Sequence, residues 1–194
     1  MSNPAEVYYE EERKWTYADY RGWELKPGER FELIDGGAYA MSAPNTEHQH
    51  ISMILSAKLF NFFEGKTCQP FATPFDVRLF YEEDDSDDTV VQPDLVVVCD
   101  PEKLGEEGCQ GAPDLVVDIL SPSNTAIEMH RKLNLYLDAE VREYWVIDPE
   151  ERLVEIYDLE DERYKTRILR IDDTLQSTVF PDFAIPMKTI FPEK

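Results

Sequence analysis

Two aspartates and a lysine near the middle of the chain are the residues whose types and spacing could do chemistry. Asp94 opens one Val-rich run, Asp118 lies inside the run LVVDIL, and Lys132 follows. A carboxylate in such an apolar run is costly to bury as a charge unless a cation or strong hydrogen-bond donors meet it. Two carboxylates, with water and a phosphate oxygen, suit a hard divalent cation such as Mg²⁺. The three side chains therefore predict a metal site that polarises a phosphodiester, with the lysine stabilising negative charge.

Both aspartates belong to segments with the pattern of neighbouring strands. Identical PDLVV runs occupy residues 93–97 and 113–117. Each run is short, rich in Val and Leu, introduced by Pro and apolar on both faces, as a central sheet strand must be. If the two strands pair in one sheet, the carboxylates of Asp94 and Asp118 come close together.

The segment after the second strand must position the lysine. An apolar stripe with helical spacing predicts a helix over about residues 125–139, with Ser123 or Asn124 as its N-cap. Such a helix can fold the lysine back over the carboxylates. The next apolar segment, residues 142–148, completes a strand, helix, strand unit of crossover length, so it should lie parallel to the strand at 114–120.

A third acid lies in the first half of the chain. Glu32 sits between Phe31 and Leu33 in a short apolar run, just before the hairpin signal at residues 35–37. The alternation of side chains along a strand puts Glu32 on the face opposite its two neighbours. There it is either a solvent-facing strand residue or part of a site.

Apolar periodicity predicts the remaining elements, which are helices at about residues 16–25 and 46–63, an extended region at 67–81, and antiparallel hairpin strands at 153–158, 163–171 and 177–185. Thr16 and Asp19 stand at capping-box spacing in the first helix. His48 and His50 fall in the first turn of the second helix. A histidine there is either a proton carrier or phosphate contact, or simply a surface or packed side chain.

Composition bounds the class of protein. The 194 residues are expected to form one domain over residues 1–194, with residues 1–14 frayed. Lys and Arg number 19 against 41 Asp and Glu, and the net charge of −22 repels polyphosphate unless basic groups are gathered locally. The acidic run at 82–88 lacks the glycine and final glutamate of an EF-hand loop, so it predicts a solvated, mobile hairpin loop.

The cysteines and the apolar runs bear on the compartment. Cys68, Cys99 and Cys109 are odd in number and have no metal-ligand spacing, which predicts free thiols in a reducing compartment. No apolar run approaches the roughly 18–20 residues of a membrane helix, and the amino terminus lacks a signal-peptide pattern. The sequence therefore predicts a cytoplasmic protein without a membrane span.

Six motifs follow one another in a specific order. They are ELIDG (32–36), EHQHI (47–51), VVQPDLVVVCDP (90–101), APDLVVDILSPS (112–123), a lysine nine residues on, and VREYWVIDP (141–149). In combination they resemble the Uma-two (Uma2) family of restriction-endonuclease-like proteins, part of the PD-(D/E)XK nuclease superfamily, over roughly residues 15–190. The resemblance implies a restriction-endonuclease-like α/β core: a mixed central β-sheet flanked by helices, with additional antiparallel hairpins at both ends.

The same resemblance implies roles for particular residues. The PD aspartate matches Asp94, the (D/E) carboxylate matches Asp118, and the helper acid matches Glu32. Leu120 stands where the superfamily has its lysine, so the resemblance implies a lysine displaced onto the next helix, at Lys132. The implied activity is that of an endonuclease dependent on Mg²⁺ or Mn²⁺, with the three acids as metal ligands and the lysine as charge stabiliser. Double-stranded DNA is the implied substrate and a homodimer the implied working form.

Two other interpretations stay open. In the first, Asp94 caps a strand end and Asp118 forms a buried ion pair with Lys132 or Arg131, so that all of these residues are structural. In the second, the chain is a non-catalytic acidic binding protein that retains a nuclease fold.

Overall fold

The computed structural model describes residues 13–160 and 164–191, so most of the segment predicted to fray, residues 1–14, lies outside the described residues. The helices are α1 (Tyr17–Tyr20), α2 (Thr46–Phe63), α3 (Ala126–Asp138) and α4 (Met187–Ile190), with a 3-10 turn at Pro101–Lys103. The strands are β1 (Phe31–Ile34), β2 (Gly37–Ala40), β3 (Gln69–Ala72), β4 (Asp76–Arg78), β5 (Val90–Val91), β6 (Leu95–Val98), β7 (Leu104–Gly105), β8 (Gly108–Gln110), β9 (Leu115–Ile119), β10 (Glu143–Asp148), β11 (Leu153–Asp158), β12 (Lys165–Leu169), β13 (Thr174–Gln176) and β14 (Ala184–Pro186).

A mixed six-stranded sheet carries both aspartates. Its strand order is β12-β11-β10-β9-β6-β3. The two PDLVV strands, β6 and β9, are antiparallel neighbours with Leu95 opposite Val117. Strand β10 lies parallel to β9, joined to it by α3. The predicted strand pairing, the parallel crossover and the mixed α/β architecture are therefore confirmed.

The two faces of this sheet bury different sets of side chains. Leu115, Val117 and Ile119 pack in one core with α2, β13, β14 and α4. Val116, between them, packs in a second core with α3 and with strands of the other sheet. Because side chains alternate along a strand, Asp118 points to the same face as Val116, toward α3.

A second six-stranded sheet, ordered β2-β1-β5-β4-β8-β7, brings Glu32 to that face. Strands β1 and β2 form the predicted hairpin, with Ile34 opposite Gly37. The two loop residues, Asp35 and Gly36, have φ of 51° and 77°. Positive φ at both positions is the type I′ geometry that matches the twist of a hairpin, which is why an Asp-Gly pair stands there.

The two long helices lie where the pattern predicts them. Helix α2 begins after Asn45, whose side chain accepts a hydrogen bond from the His48 backbone N at 2.9 Å. Helix α3 is capped by Thr125, which forms a capping box with Glu128, so the prediction of Ser123 or Asn124 as N-cap is wrong. Asn124 instead accepts from the Ser121 backbone N in the preceding turn.

Helix α1 is shorter than predicted, because it ends at Tyr20 rather than near residue 25. Its capping box of Thr16 and Asp19 is confirmed. After Tyr20 the chain unwinds so that Trp23 can pack against Trp15 and Tyr20, with ring centroids 5.4 and 5.1 Å apart. Aromatic packing overrides helix propensity here.

The carboxy-terminal strands differ partly from the prediction. Strands β11 and β12 pair antiparallel as expected. The strand predicted over residues 177–185 is mostly a turn, flanked by β13 and β14. The cause is Glu143, which accepts hydrogen bonds from Ser177 Oγ and from the backbone N atoms of Thr178 and Val179, so this backbone cannot form a ladder.

The acidic loop at 82–88 is not the freely solvated loop that its composition predicts. Asp87 is 5% exposed and pairs with the guanidinium of Arg78. Asp85 pairs with Arg21 at 2.8 Å and with Arg78 at 2.9 Å. These ion pairs with arginines from other elements hold the loop in place.

The cysteine prediction is also wrong in part. Cys68 and Cys99 form a disulfide, whereas Cys109 is free and buried. The paired cysteines lie one position beyond the last register pair of β3 and β6, Gln69 opposite Val98, with Cys68 before Gln69 and Cys99 after Val98, so antiparallel pairing places them face to face. No helix in the described part of the chain is both long enough and apolar enough to cross a membrane.

Candidate functional site

The two aspartates face each other at the end of paired strands. Asp94 and Asp118 occupy the register position next to the Leu95 and Val117 pair of β6 and β9. Asp94 Oδ2 accepts a hydrogen bond from the backbone N of Ile119 at 2.7 Å. The strand pairing that the PDLVV repeat predicts is thus what brings the two carboxylates together.

Asp118 is held by two buried tyrosines. Its Oδ2 accepts a hydrogen bond from Tyr144 at 2.8 Å and a longer one from Tyr136 at 3.5 Å. Burial raises the pKa of both phenols well above the ordinary value, so both remain protonated donors. The tyrosines fix one oxygen of Asp118 and leave Oδ1 directed toward Lys132, 3.5 Å away.

Burial also decides the protonation chemistry of Asp118. Burial is the main cause that raises its pKa from 3.8 to about 6. The charge of Lys132 lowers the pKa of this carboxyl, whereas the Asp94 and Glu32 carboxylates raise it. Asp118 is therefore charged at neutral pH at a cost, and any further cation brought near it is favoured.

Lys132 reaches the site from α3, as predicted. Its Nζ lies 3.0 Å from Glu32 Oε1 and 3.5 Å from Asp118 Oδ1. Burial alone would lower the pKa of Lys132, but the carboxylates of Asp118 and Glu32 outweigh it and raise that pKa well above the ordinary value. The lysine is therefore a permanent cation, 8% exposed, between two acids.

Glu32 is a buried member of this cluster rather than a solvent-facing strand residue. It is 5% exposed. Besides Lys132, its Oε1 accepts a hydrogen bond from the backbone N of Gln92 at 3.0 Å. Leu33, its neighbour in β1, packs on the other face in a cluster with Trp15. The period-two prediction for this strand is confirmed.

His48 joins the cluster from α2, whereas His50 is exposed. His48 Nε2 lies 3.2 Å from Asp94 Oδ2, and Nδ1 is buried without a partner among the described residues. The sequence left His48 open between a site role and a packed side chain, and it gave Tyr144 no site role. The strand pattern could have pointed to Tyr144. Val116 lies two residues before Asp118 on the same face of β9, and Tyr144 is the register partner of Val116 in β10.

A cavity of about 180 Å³ contains the whole cluster. Its floor is formed by the four predicted site residues together with His48 and Gln92, and its rim includes Arg30, Tyr39, Ser42 and Ser123. The arrangement puts three carboxylates, one ammonium and one imidazole in one recess, where they can bind a cation and stabilise charge on a phosphate.

The carboxylates of the cavity are the kind of ligand that a hard cation prefers, but they do not by themselves form a complete coordination shell. Three metal ligands, Glu32, Asp94 and Asp118, are predicted from the resemblance. Within residues 13–160 and 164–191, no group of three or more His, Cys, Asp or Glu side chains is placed to hold a metal ion. Glu32, Asp94 and Asp118 all line the cavity. Lys132 Nζ and the Gln92 backbone N both contact Oε1 of Glu32 at 3.0 Å, so Asp94 and Asp118 are the two carboxylates more available to a cation.

This chain is similar to a known protein sequence and to a solved structure. It is 27% identical over 150 residues to uncharacterized protein slr1290 of Synechocystis sp., covering 77% of this chain and 76% of that protein. A crystal structure from Anabaena variabilis, described as "a putative nuclease belonging to DUF820", superposes with a TM-score of 0.72 and 19% identity, covering 91% of this chain and 97% of the other. The restriction-endonuclease-like fold class is thereby confirmed.

A family model decides membership. The Uma2 model, described as "Putative restriction endonuclease", matches residues 17–188, which include all four predicted site residues and both strands of the PDLVV pair. The family resemblance seen in the motifs is therefore confirmed, and this chain belongs to the Uma2 family.

Proposed function

We propose that this protein is a metal-dependent nuclease that hydrolyses DNA phosphodiester bonds in the cavity around Asp94 and Asp118. The observation that carries the proposal is the convergence of two facing carboxylates and a buried, charged lysine in one recess. Membership in the Uma2 family and the nuclease-like fold support it.

Asp94 and Asp118 are the proposed ligands of Mg²⁺ or Mn²⁺, and Glu32 is the third acid, which positions Lys132. Magnesium is commonly bound by only one or two carboxylates, with water and substrate phosphate completing its shell. Two protein carboxylates therefore suffice for this ion. When bound, it would polarise the phosphodiester and lower the pKa of a water molecule.

Residues of the chain stabilise charge and position the two aspartates. Lys132 is held as a cation beside Asp118, where it stabilises negative charge that develops on the phosphate in the transition state. Tyr144 and the Ile119 backbone N fix the two aspartates, so that little reorganisation is needed during the reaction.

The test is a cleavage assay. Purified protein is incubated with plasmid, linear duplex and single-stranded DNA in Mg²⁺ or Mn²⁺, beside Asp118→Ala and a surface control, Asp172→Asn. The proposal expects cleavage by the wild type and by Asp172→Asn, and none by Asp118→Ala. A wild type that cuts no faster than Asp118→Ala in either metal contradicts it.

A second candidate is a non-catalytic acidic binding protein. One observation favours it: Lys132 already pairs with Glu32 and Asp118, so a cation occupies the cluster without any metal. Calorimetric titration with Mn²⁺ separates the two candidates. The nuclease requires a discrete site that disappears in Asp94→Ala, whereas the binding protein shows only weak, diffuse uptake that this substitution does not change.

A further inference from the structure

We infer that the strand cut at this site is unpaired DNA rather than intact duplex. The inference rests on the proposed function and narrows its substrate, and it departs from the double-stranded substrate that the family resemblance implies. Four features of the cavity carry it: its depth, a bridge between two loops on its rim, an aromatic side chain at its mouth, and the sparse positive charge around it.

The reactive groups are recessed. The side chains of Asp94 and Asp118 are only 15% and 10% exposed, and that of Lys132 is 9% exposed. The cavity volume of about 180 Å³ is below the roughly 300–1,000 Å³ of pockets that enclose drug-sized ligands. A recess of this volume does not admit a duplex, whose major groove, about 12 Å wide, is itself large enough to hold an α-helix. Only a flexible strand can lower a phosphate to the carboxylates without the rim moving.

A hydroxyl bridge joins two loops of the rim. Ser42, in the loop after β2, and Ser123, in the loop after β9, lie with their Oγ atoms 2.9 Å apart. Ser123 Oγ is also 2.9 Å from Ser121 Oγ. Both loops line the cavity. The bridge shows that the two loops lie side by side, so the mouth of the cavity between them is narrow.

An aromatic platform stands at the same mouth. Tyr39 is the register partner of Glu32 in the β1–β2 hairpin, so its side chain lies on the cavity face. It is 37% exposed. The Arg131 guanidinium lies 4.6 Å from the centroid of its ring. An exposed ring backed by a cation is the arrangement on which unpaired bases stack, and bases inside a duplex cannot reach it.

The charge around the cavity suits a single strand better than a duplex. The net charge is −22. Duplex DNA carries one negative charge per about 1.7 Å and a single strand one per about 3.4 Å. Arg30 lines the cavity and makes no ion pair with a described carboxylate, while Arg131 lies against the ring of Tyr39, which lines the cavity. Two such cations can hold the few phosphates of one strand, but they do not offset the repulsion of a duplex.

The test compares one labelled DNA sequence as a single strand and as a blunt duplex. Binding is measured by fluorescence anisotropy in EDTA, and cleavage in Mn²⁺. We expect the single strand to bind at least about tenfold tighter and to be cut faster. Tyr39→Ala should weaken single-strand binding by about tenfold, in line with the loss of one stacked base. Tyr39→Phe should restore it, and Tyr164→Ala, which removes a similarly exposed tyrosine (41%) outside the cavity, should change nothing.

The outcomes separate this inference from the proposed function. Cleavage of the duplex as fast as the single strand, or unchanged single-strand binding in Tyr39→Ala, overturns the inference while the nuclease stands. A binding preference for the single strand without any cleavage supports the surface and contradicts the nuclease. If Tyr39→Ala lowers the melting temperature, Arg131→Gln replaces it, because this change removes the cation behind the ring and keeps the strand intact.

Discussion

Replacing Lys132 with methionine removes the one cation from the buried cluster while keeping a side chain of similar length. In the native protein, Nζ lies 3.0 Å from Glu32 Oε1 and 3.5 Å from Asp118 Oδ1, and all three side chains are at most 10% exposed. The substitution leaves two carboxylates in a recess without a counter-charge. We expect Lys132→Met to be strongly destabilised at neutral pH.

The magnitude follows from the burial. Breaking a buried ion pair by removing one partner costs about 3–5 kcal/mol. For a chain of this size, 1 kcal/mol corresponds to about 2–4 °C in melting temperature, so the expected loss is roughly 6–20 °C. The loss should be smaller at pH 5 than at pH 8, because Asp118, whose pKa is already raised to about 6, takes up a proton and relieves the unpaired charge. Mn²⁺ should restore more stability to Lys132→Met than to the wild type, since it can replace the missing cation.

Thermal and urea melts at the two pH values measure these effects. Lys188→Met is the matched control, because Lys188 forms an exposed ion pair with Asp172 and its side chain is 69% exposed. Its loss should be at most about 1 kcal/mol. The double variant Glu32→Gln/Lys132→Met should recover part of the stability. A loss of less than about 1 kcal/mol in Lys132→Met at pH 8 would refute the view that the lysine neutralises this cluster.

Three further predictions concern Asp118, the disulfide and Glu143. Because burial raises the folded pKa of Asp118 from 3.8 to about 6, the stability from this group is fully present below about pH 4 and is lost as the pH rises through about 6. Relative to Asp118→Asn, the wild type should therefore lose about 3 kcal/mol across that window in urea melts, and parallel pH profiles would contradict the assignment. Thiol titration of the unreduced, denatured protein should find one thiol rather than three, and reduction of the Cys68–Cys99 bond, with its sequence separation of 31, should cost about 3–4 kcal/mol. Glu143→Ala should lower the free energy of unfolding by at least about 3 kcal/mol, because Trp145 Nε1, Ser177 Oγ and two backbone N–H groups lose a buried acceptor. Glu143→Gln should cost less. Equal melting temperatures for the two variants would argue against this role of Glu143.

Local sequence patterns were sufficient for the elements that position the aspartates. The PDLVV runs are apolar on both faces, which only central strands tolerate, and their pairing places Asp94 opposite Asp118. A strand, helix, strand unit of that length nearly always forms a right-handed parallel crossover, so the parallel pairing of β10 with β9 follows from the spacing. Lys132 then had only to lie on the inward face of α3.

Apart from the N-cap of α3, the contacts that sequence reasoning missed depend on residues far apart in the chain. The Cys68–Cys99 bond depends on the register of β3 against β6, which no local pattern specifies. The contact of His48 with Asp94 depends on how α2 docks at the end of β6.

Composition alone was misleading for the acidic loop. Local reasoning treats a run of acids as solvated, but Asp85 and Asp87 meet Arg21 and Arg78, which come from other elements of the fold. Charge patterns predict exposure only when the counter-charges are also local. The same lesson applies to the net charge, which does not reveal that Lys132 lies among the buried acids of the cavity.

The central claim is that Asp94 and Asp118 together bind a divalent cation. The most direct measurement is a crystal structure of the protein soaked in Mn²⁺, with anomalous data collected to locate the metal. The account predicts one anomalous peak in the cavity, at about 2.0–2.3 Å from an oxygen of each of the two carboxylates, and its absence from Asp94→Ala crystals. A fully soaked crystal without a peak there, with Lys132 still bound to both Glu32 and Asp118, would contradict it.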